Sequence, residues 1–440
     1  MDAVEYLIAD FLERPLPELT RRDVSLPRLA GKADVVIGMR RAGKTYLLYQ
    51  AMQQFLAEGM EKHDLLYLNL EDDRINPAGE GFLDRALETF FRLRPAPREK
   101  MSGIFLDEIQ MVPSWERFVR RVLDTENCRL FLSGSSARML STEVASVLRG
   151  RGISVEVLPF SFSESLRHAG LPAVSDRLPG AARRTQLESH VLGYLDVGGF
   201  PEVQNVEEPD RIRILQDYVE LVLLRDVVER HEIENAVAAR LLARRLLQSA
   251  SRLFSINAVY NDFRSQAVAV SKNTLHALLK HFEDAFLVFP ISIFRRSLKA
   301  RQVNPRKIYA VDPGLVRAMS FVTATDRGAR LENMVYLELR RRLQRVYEGS
   351  ISYYLTASGR EVDFILGDPD QGRAEQLIQV CTSLADPATR DRELKGLNEA
   401  MQELRHSEAV IVTLNEAEEI EVDGGRVTAV PAWRWISESP

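Results

Sequence analysis

The sequence predicts an α/β protein in three parts: a parallel sheet flanked by helices at the N-terminus, a helical middle, and an α/β domain at the C-terminus. Three observations carry this reading. Short apolar runs (Val35-Val36-Ile37, Ile104-Phe105-Leu106, Leu130-Phe131-Leu132) are separated by helical patterns, as expected for parallel strands buried on both faces. Between about 210 and 290, apolar residues recur at helical spacing, beginning with Ile212, Leu215, Tyr218, Val219, Val222 and Leu223. After Asp312-Pro313-Gly314, a helix pattern is followed by several short strands. The expected boundaries are 1–165, 166–315 and 316–440.

The first strand runs into Gly38-Met39-Arg40-Arg41-Ala42-Gly43-Lys44-Thr45. Leu47, Leu48, Ala51, Met52 and Phe55 follow at helical spacing. This is strand, glycine loop and helix, with G-x-x-x-x-G-K-T at the junction. Successive backbone N–H groups in such a loop wrap a phosphate, and the helix N-terminus adds its positive dipole. Nucleotide contacts are expected from Gly38, Arg40, Arg41, Ala42, Gly43, Lys44, Thr45 and Tyr46. Lys44 would reach the β- and γ-phosphates of ATP, and the Thr45 hydroxyl would ligate Mg²⁺. Arg40 and Arg41 place two more cations beside a polyphosphate; alternatively, one of them pairs with an acid such as Glu71 or Asp72.

Hydrolysis needs a second element. Gly103-Ile104-Phe105-Leu106-Asp107-Glu108 reads as a buried strand with two carboxylates at its C-terminal end, where α/β proteins bind ligands. Asp107 would support the metal and Glu108 would act as general base on water. Beyond the strand ending at Ser133, Ser135 and Ser136 are candidates to contact the water or the γ-phosphate. Val147-Leu148-Arg149-Gly150-Arg151-Gly152 closes a helix before the next strand. An arginine here, Arg151 ahead of Arg149, can point at a neighbour's γ-phosphate as an arginine finger, or can complement the helix dipole beside a Gly152 cap.

Residues from about 20 to 165 resemble the AAA+ P-loop ATPases. The stretches VVIGMRRAGKTYLL, GIFLDEIQ, LFLSGSSARML and LRGRGISVEVLPFSFSE are similar to prokaryotic ATPases of the AAA_14 type, whose usual partner is a C-terminal DUF4143 domain. The resemblance implies an ATP- and Mg²⁺-dependent ATPase that works as a homo-oligomer, a ring of six being favoured.

With 440 residues, the chain has length for about three domains. Its 45% hydrophobic and 28% charged content describes a globular protein with ample core. A net charge of −5 excludes a histone-like binder held by bulk charge, but not local basic patches. The sequence has no run of eighteen apolar residues and no basic start followed by an apolar segment. The expectation is therefore a cytoplasmic protein without a membrane span. Cys128 and Cys381 make no disulfide framework or zinc quartet, and the seven histidines form no spaced metal pair.

In the middle part, a helix is expected near Val237–Leu253. A short helix should open at Phe254-Ser255-Ile256-Asn257, and a third should be capped by Ser271. The strands Phe286–Ile291 and Tyr309–Val311 follow. Between these strands lie Arg295, Arg296, Lys299, Arg301, Arg306 and Lys307, with no acid from 292 to 307. Three helices and a hairpin with a basic tip form the layout of a winged helix. Lys272, Asn273, His276 and Lys280 would line its recognition helix, and Arg295, Arg296, Lys299 and Arg301 would neutralise DNA phosphates from the wing. The alternative is a helical bundle with a solvated cationic hairpin.

The last part reads as a helix from Ala329 to about Val346, a hairpin turning at Ser358-Gly359, and a strand from Gln376 to Cys381. This resembles a PD-(D/E)xK nuclease core. GARLENMVYLELRRR, SGREVDFIL and LIQVCTSL resemble DUF4143, as do YLDVGGFPEV and LLRDVVER upstream. Glu332, Asp363 and Gln379 fall on the acidic or amide positions of the nuclease pattern. Cys381 stands where that pattern requires lysine, and a thiol supplies no cation. The expectation is a nuclease-like fold without nuclease activity, kept for nucleic-acid binding or subunit packing; the alternative is that Glu332 and Asp363 simply pair with nearby arginines such as Arg360. Trp433 and Trp435 alternate as in a short final strand. The function expected overall is an ATP-driven motor that remodels branched or duplex DNA. The alternatives are an ATP-dependent nuclease and a nucleotide-controlled protein-binding switch in signalling or defence.

Overall fold

The computed structural model describes residues 3–75, 79, 81–134, 148–174, 179–320, 327–345 and 350–438. The chain divides into two compact units, Met1–Leu158 and Pro159–Pro440. In the first unit, β1 (Ala33–Ile37), β2 (Leu65–Asn69), β3 (Ser102–Asp107), β4 (Cys128–Gly134) and β5 (Gly152–Glu156) form one parallel sheet in the order β2-β3-β4-β1-β5. Its helices are α1 (Ala3–Glu13), α2 (Lys44–Ala57), α3 (Phe82–Leu93) and α4 (Trp115–Thr125). Every residue of β1 and β3 is buried, which is why their sequences run apolar without alternation. Helix α2 buries Leu47, Leu48, Ala51, Met52 and Phe55, as its periodicity predicts. The Phe55 ring meets Phe105 at 6.2 Å and Phe131 at 5.7 Å, and those two rings stack at 4.6 Å. Each buried aromatic contributes about 1.5–3 kcal/mol. This cluster fixes α2 against the strands whose ends carry the polar residues discussed below.

One polar residue interrupts β1. Asp34 is 2% exposed, and its Oδ2 accepts the Arg28 N–H at 3.0 Å. Burial pushes its carboxyl up to about 6. The folded chain therefore holds this proton more tightly than the unfolded chain does. Stability falls as pH rises from the ordinary value of 3.8 through about 6, and stays lower above it. Asp34→Asn should leave Tm unchanged near pH 4 and raise stability at pH 8 by on the order of 2 kcal/mol. Thermal melts across that range check this, and identical melts at pH 8 would contradict it.

The second unit opens with α5 (Phe162–His168), started by a reciprocal Ser161–Glu164 capping box. Helices α6 (Ala181–Val197) and α7 (Glu208–Leu221) follow, and α7 continues as a π-helical stretch, Val222–Val228. The winged-helix order comes next: α8 (Ala236–Gln248), β6 (Arg252–Phe254), α9 (Ile256–Ser265), α10 (Lys272–Asp284), β7 (Val288–Ile291), α11 (Leu298–Val303) and β8 (Arg306–Ala310). Its strands form an antiparallel sheet in the order β6-β8-β7. Ser255 and Ser271 cap α9 and α10 through their side chains. Helix α12 (Pro313–Met319) is capped by buried Asp312, whose Oδ1 accepts from Gly314 and Leu315 N–H. Its Oδ2 takes the Gly199 N–H at 2.6 Å, tying the end of α6 to the start of α12.

The remainder is α13 (Arg327–Arg345), β9 (Ser350–Leu355), β10 (Glu361–Asp368), β11 (Arg373–Val380), α14 (Pro387–Leu404), β12 (Glu408–Thr413), β13 (Glu418–Val422), β14 (Gly425–Pro431) and α15 (Ala432–Ser437). The strands make a mixed sheet in the order β13-β14-β12-β11-β10-β9, with β11–β12 and β12–β14 parallel. Helix, three antiparallel strands, helix and a parallel strand follow one another in this mixed-sheet domain.

Three local expectations change. The helix expected to Leu253 stops at Gln248. Ser251 takes a left-handed φ of 60° and donates its N–H to Ile308 O at 2.6 Å, so the chain turns into β6 and gives β8 its second neighbour. The expected hairpin tip contains α11, whose first turn is capped by the Ser297 hydroxyl. Trp433 and Trp435 lie in α15, not in a strand. The short helix buries both, so two apolar residues at spacing two fit either element.

Candidate functional site

The glycine loop leaves β1 at Ile37, between β4 and β5. Register pairs Ile37 with Gly134, Leu106 with Leu132 and Asn69 with Asp107, so the carboxyl ends of β1, β3 and β4 share one edge of the sheet. Gly38 has φ 149°, and a Cβ there would lie 2.2 Å from Val157 O, so only glycine fits. Gly43, at φ 99°, precedes α2 and offers no side-chain cap. The first N–H groups of α2 are thus left to bind an anion.

The side chains predicted to act together do converge. Thr45 Oγ1 donates to Asp107 Oδ2 at 2.7 Å. Lys44 is 5% exposed; its Nζ donates to Gly38 O and Met39 O, both at 3.2 Å, and lies 3.8 Å from Glu108 Oε1. Burial and neighbouring Glu108 push the Asp107 carboxyl up, while bonds from Ser133 and Thr45 and the charge of Lys44 pull it down. A buried carboxylate beside a threonine hydroxyl, at a loop shaped for phosphate, fits Mg²⁺ with a nucleotide. Glu108 sits at a left-handed φ of 55°, opening a 3₁₀ turn, and its Oε2 accepts from the Gln110 amide.

Arg40 pairs with Glu71 at 3.0 Å, one of the two partners named from the sequence. Arg41 is exposed beside the loop at φ 66°. Ala42 is buried, and Tyr46 is 50% exposed on the first turn of α2. Arg151 precedes β5, and its carbonyl accepts the Ala33 N–H at 2.7 Å. That is the opposite end of β1 from the loop, roughly 15 Å of strand away. Its guanidinium pairs with Asp124 of α4. Ser135 and Ser136 lie outside the described residues.

Three site residues were not singled out from the sequence. Ser133, at the buried end of β4, donates to Asp107 Oδ1 and accepts the Glu108 N–H at 3.0 Å, holding both acids. Tyr67 of β2 donates to Asp107 Oδ2 at 3.1 Å. Arg22 donates to Ala42 O at 2.9 Å, bracing the loop from the segment before β1. A polar residue ending an apolar strand is the signal that would have found Ser133; Arg22 carries none.

In the winged helix, Lys272, Asn273, His276 and Lys280 are exposed on α10, with Lys280 paired to Glu283 and Asp284. The wing residues are placed differently. Arg295 donates to Leu355 O at 2.6 Å and covers the Tyr354 ring at 4.6 Å. Arg296 donates to Gln371 O at 2.7 Å, and Arg301 pairs with Asp370. Lys299 is exposed. In the C-terminal sheet, Glu332, Asp363 and Gln379 converge, but Arg360 pairs with Glu399 at 2.9 Å and the cation among them is Lys307 of β8.

The strand order and the loop after β1 define an AAA+ P-loop domain. Family models agree: an AAA domain (AAA_14) matches residues 30–166, and two domains of unknown function, DUF8612 and DUF4143, match 189–326 and 327–435. The stretches at 194–203 and 223–230 therefore fall within the DUF8612 match and not within DUF4143. An uncharacterised protein of Methanocaldococcus jannaschii is 31% identical over 439 residues, covering 98% of this chain and 94% of that one. One of Haemophilus influenzae is 26% identical, covering 91% and 93%. The chain belongs to the prokaryotic AAA+ family that joins an AAA_14 domain to a C-terminal DUF4143 domain. Among solved structures it is similar to the Aeropyrum pernix ORC2 protein (14% identity, TM-score 0.35, 77% of this chain and 94% of that one). It is also similar to AMPPCP-bound DnaA from Aquifex aeolicus (16%, TM-score 0.24, 63% and 86%). No helix among the described residues is long and apolar enough to cross a membrane.

Proposed function

We propose that this protein hydrolyses ATP to ADP and phosphate with Mg²⁺ and uses the cycle to remodel branched or duplex DNA. It would act in the cytoplasm as a homo-oligomer, a ring of six by family resemblance. The observation that supports the ATPase reading is the convergence of Lys44, Thr45, Asp107 and Glu108 at one edge of the parallel sheet. Thr45 and Asp107 would hold Mg²⁺, which when bound supplies positive charge to the phosphate oxygens. Lys44 turns from the loop carbonyls to the γ-phosphate. Glu108 takes the proton of the attacking water, and Ser133 keeps both acids in place. Arg151, at the far end of the sheet from its own loop, serves the site of a neighbouring copy.

The DNA half of the reading is supported by the winged-helix order and the exposed Lys272, Asn273, His276 and Lys280 of α10. The test is the ATPase rate with no DNA, single strands, duplex and four-way junctions, together with DNA affinity against salt. One DNA form should stimulate turnover. Lys272→Glu with Lys280→Glu should weaken binding and flatten its salt dependence. Turnover indifferent to all DNA, with no binding, would remove this half and leave the ATPase half standing. The engagement of Arg295, Arg296 and Arg301 with the C-terminal domain favours a second reading, a nucleotide-controlled switch that binds a protein. That reading expects the DNA-independent result.

A further inference from the structure

The nuclease-like fold implies a divalent metal between Glu332, Asp363 and Gln379. The residues do not fit one. Lys307, its side chain 2% exposed, puts its ammonium 2.7 Å from Glu332 Oε1, 2.7 Å from Asp363 Oδ1 and 2.5 Å from Glu361 Oε1. Two further oxygens beside the ammonium are also engaged. Asp363 Oδ2 accepts the Val380 N–H at 2.9 Å, and Gln379 Oε1 accepts the Asp363 N–H at 3.1 Å. Gln379 Nε2 donates to Glu393 at 2.8 Å, and Tyr309 donates its hydroxyl to Glu332 Oε1 at 2.6 Å. Among the described residues, no group of three or more His, Cys, Asp or Glu side chains is arranged to hold a metal.

A lysine this deep loses its hydration, and opposite charges on several sides must offset that loss. Here they come from α13 and β10, while the lysine comes from the winged helix. We propose that the Lys307 ammonium permanently takes the place of the divalent cation: the C-terminal domain holds no catalytic metal and cuts no nucleic acid, and the former metal centre fastens β8 to the C-terminal sheet. The direction of the lysine's shift agrees, since the three carboxylates hold it well above the ordinary lysine range against the opposing effect of burial. Cys381, pushed up to about 12 mainly by burial, stays a neutral thiol and adds no charge.

The test is Mn²⁺ binding to the nucleotide-free full chain, followed by electron paramagnetic resonance, with DNA cleavage assayed in parallel. Wild type and Asp363→Asn should bind Mn²⁺ equally, and neither should cut. Lys307→Met should gain one bound Mn²⁺ per chain, and the double variant Lys307→Met with Asp363→Asn should lose it. A wild-type Mn²⁺ site or Mn²⁺-dependent cleavage that disappears in Asp363→Asn would overturn the proposal, as would a folded Lys307→Met that gains no Mn²⁺. If Lys307→Met does not fold, the comparison of wild type with Asp363→Asn decides alone.

Discussion

Glu108→Gln should bind ATP as the wild type does and fail to turn it over, with kcat lower by about 10²–10⁴, the range a positioned general base contributes. Glutamine keeps the length and shape of the side chain. It can still accept from Gln110 and leaves the backbone bond from Glu108 N–H to Ser133 untouched. What it loses is the ability to take a proton from water. Lys44 sits 3.8 Å from this carboxylate, so removing the charge also frees the lysine for phosphate, and nucleotide affinity should hold or rise. Single-turnover phosphate release alongside fluorescent-nucleotide binding separates the two effects. Wild-type release rates in Glu108→Gln would show that another group activates the water.

Arg151→Ala should cut kcat by about 10³–10⁵, the span of arginine-finger contributions, with ATP binding retained. The expected cause is distance: Arg151 lies at the N-terminal end of β5, across the sheet from the loop, and cannot reach a phosphate bound at its own loop. The ion pair with Asp124 is partly exposed on both sides, so its loss should alter folding stability by about 1 kcal/mol or less. Mixing Arg151→Ala with Lys44→Ala protein should restore turnover. The intact loop of the first then meets the intact arginine of the second. Mixtures that stay inactive at every ratio would place the finger elsewhere or make the site private to one chain.

The candidate nucleotide site is legible in the sequence because its residues are local. Gly38, Gly43, Lys44 and Thr45 are fixed by the backbone of one loop, and Asp107 and Glu108 by the end of one strand, so spacing alone identifies them. Ser133 and Ser135 both follow the same apolar run and are alike in the sequence; the register of β4 against β3 puts Ser133 at the carboxylates. Tyr67 and Arg22 reach the site from separate segments and leave no pattern in the sequence. The wing shows the same limit. A basic run between two strands carries no mark of whether its arginines face solvent or the turn at Asp370 and Gln371.

The main strands and helices of the first sheet, the glycine loop and the missing lysine at Cys381 can be read from the chain, because periodicity, glycine geometry and motif spacing act over a few residues. Where the compensating charge comes from is set by packing between distant segments. Lys307 is fifty-six residues from Asp363 along the chain, yet 2.7 Å from it in space. Burial selects a partner by position in the packed core, and that position arises only when β8 docks on the C-terminal sheet.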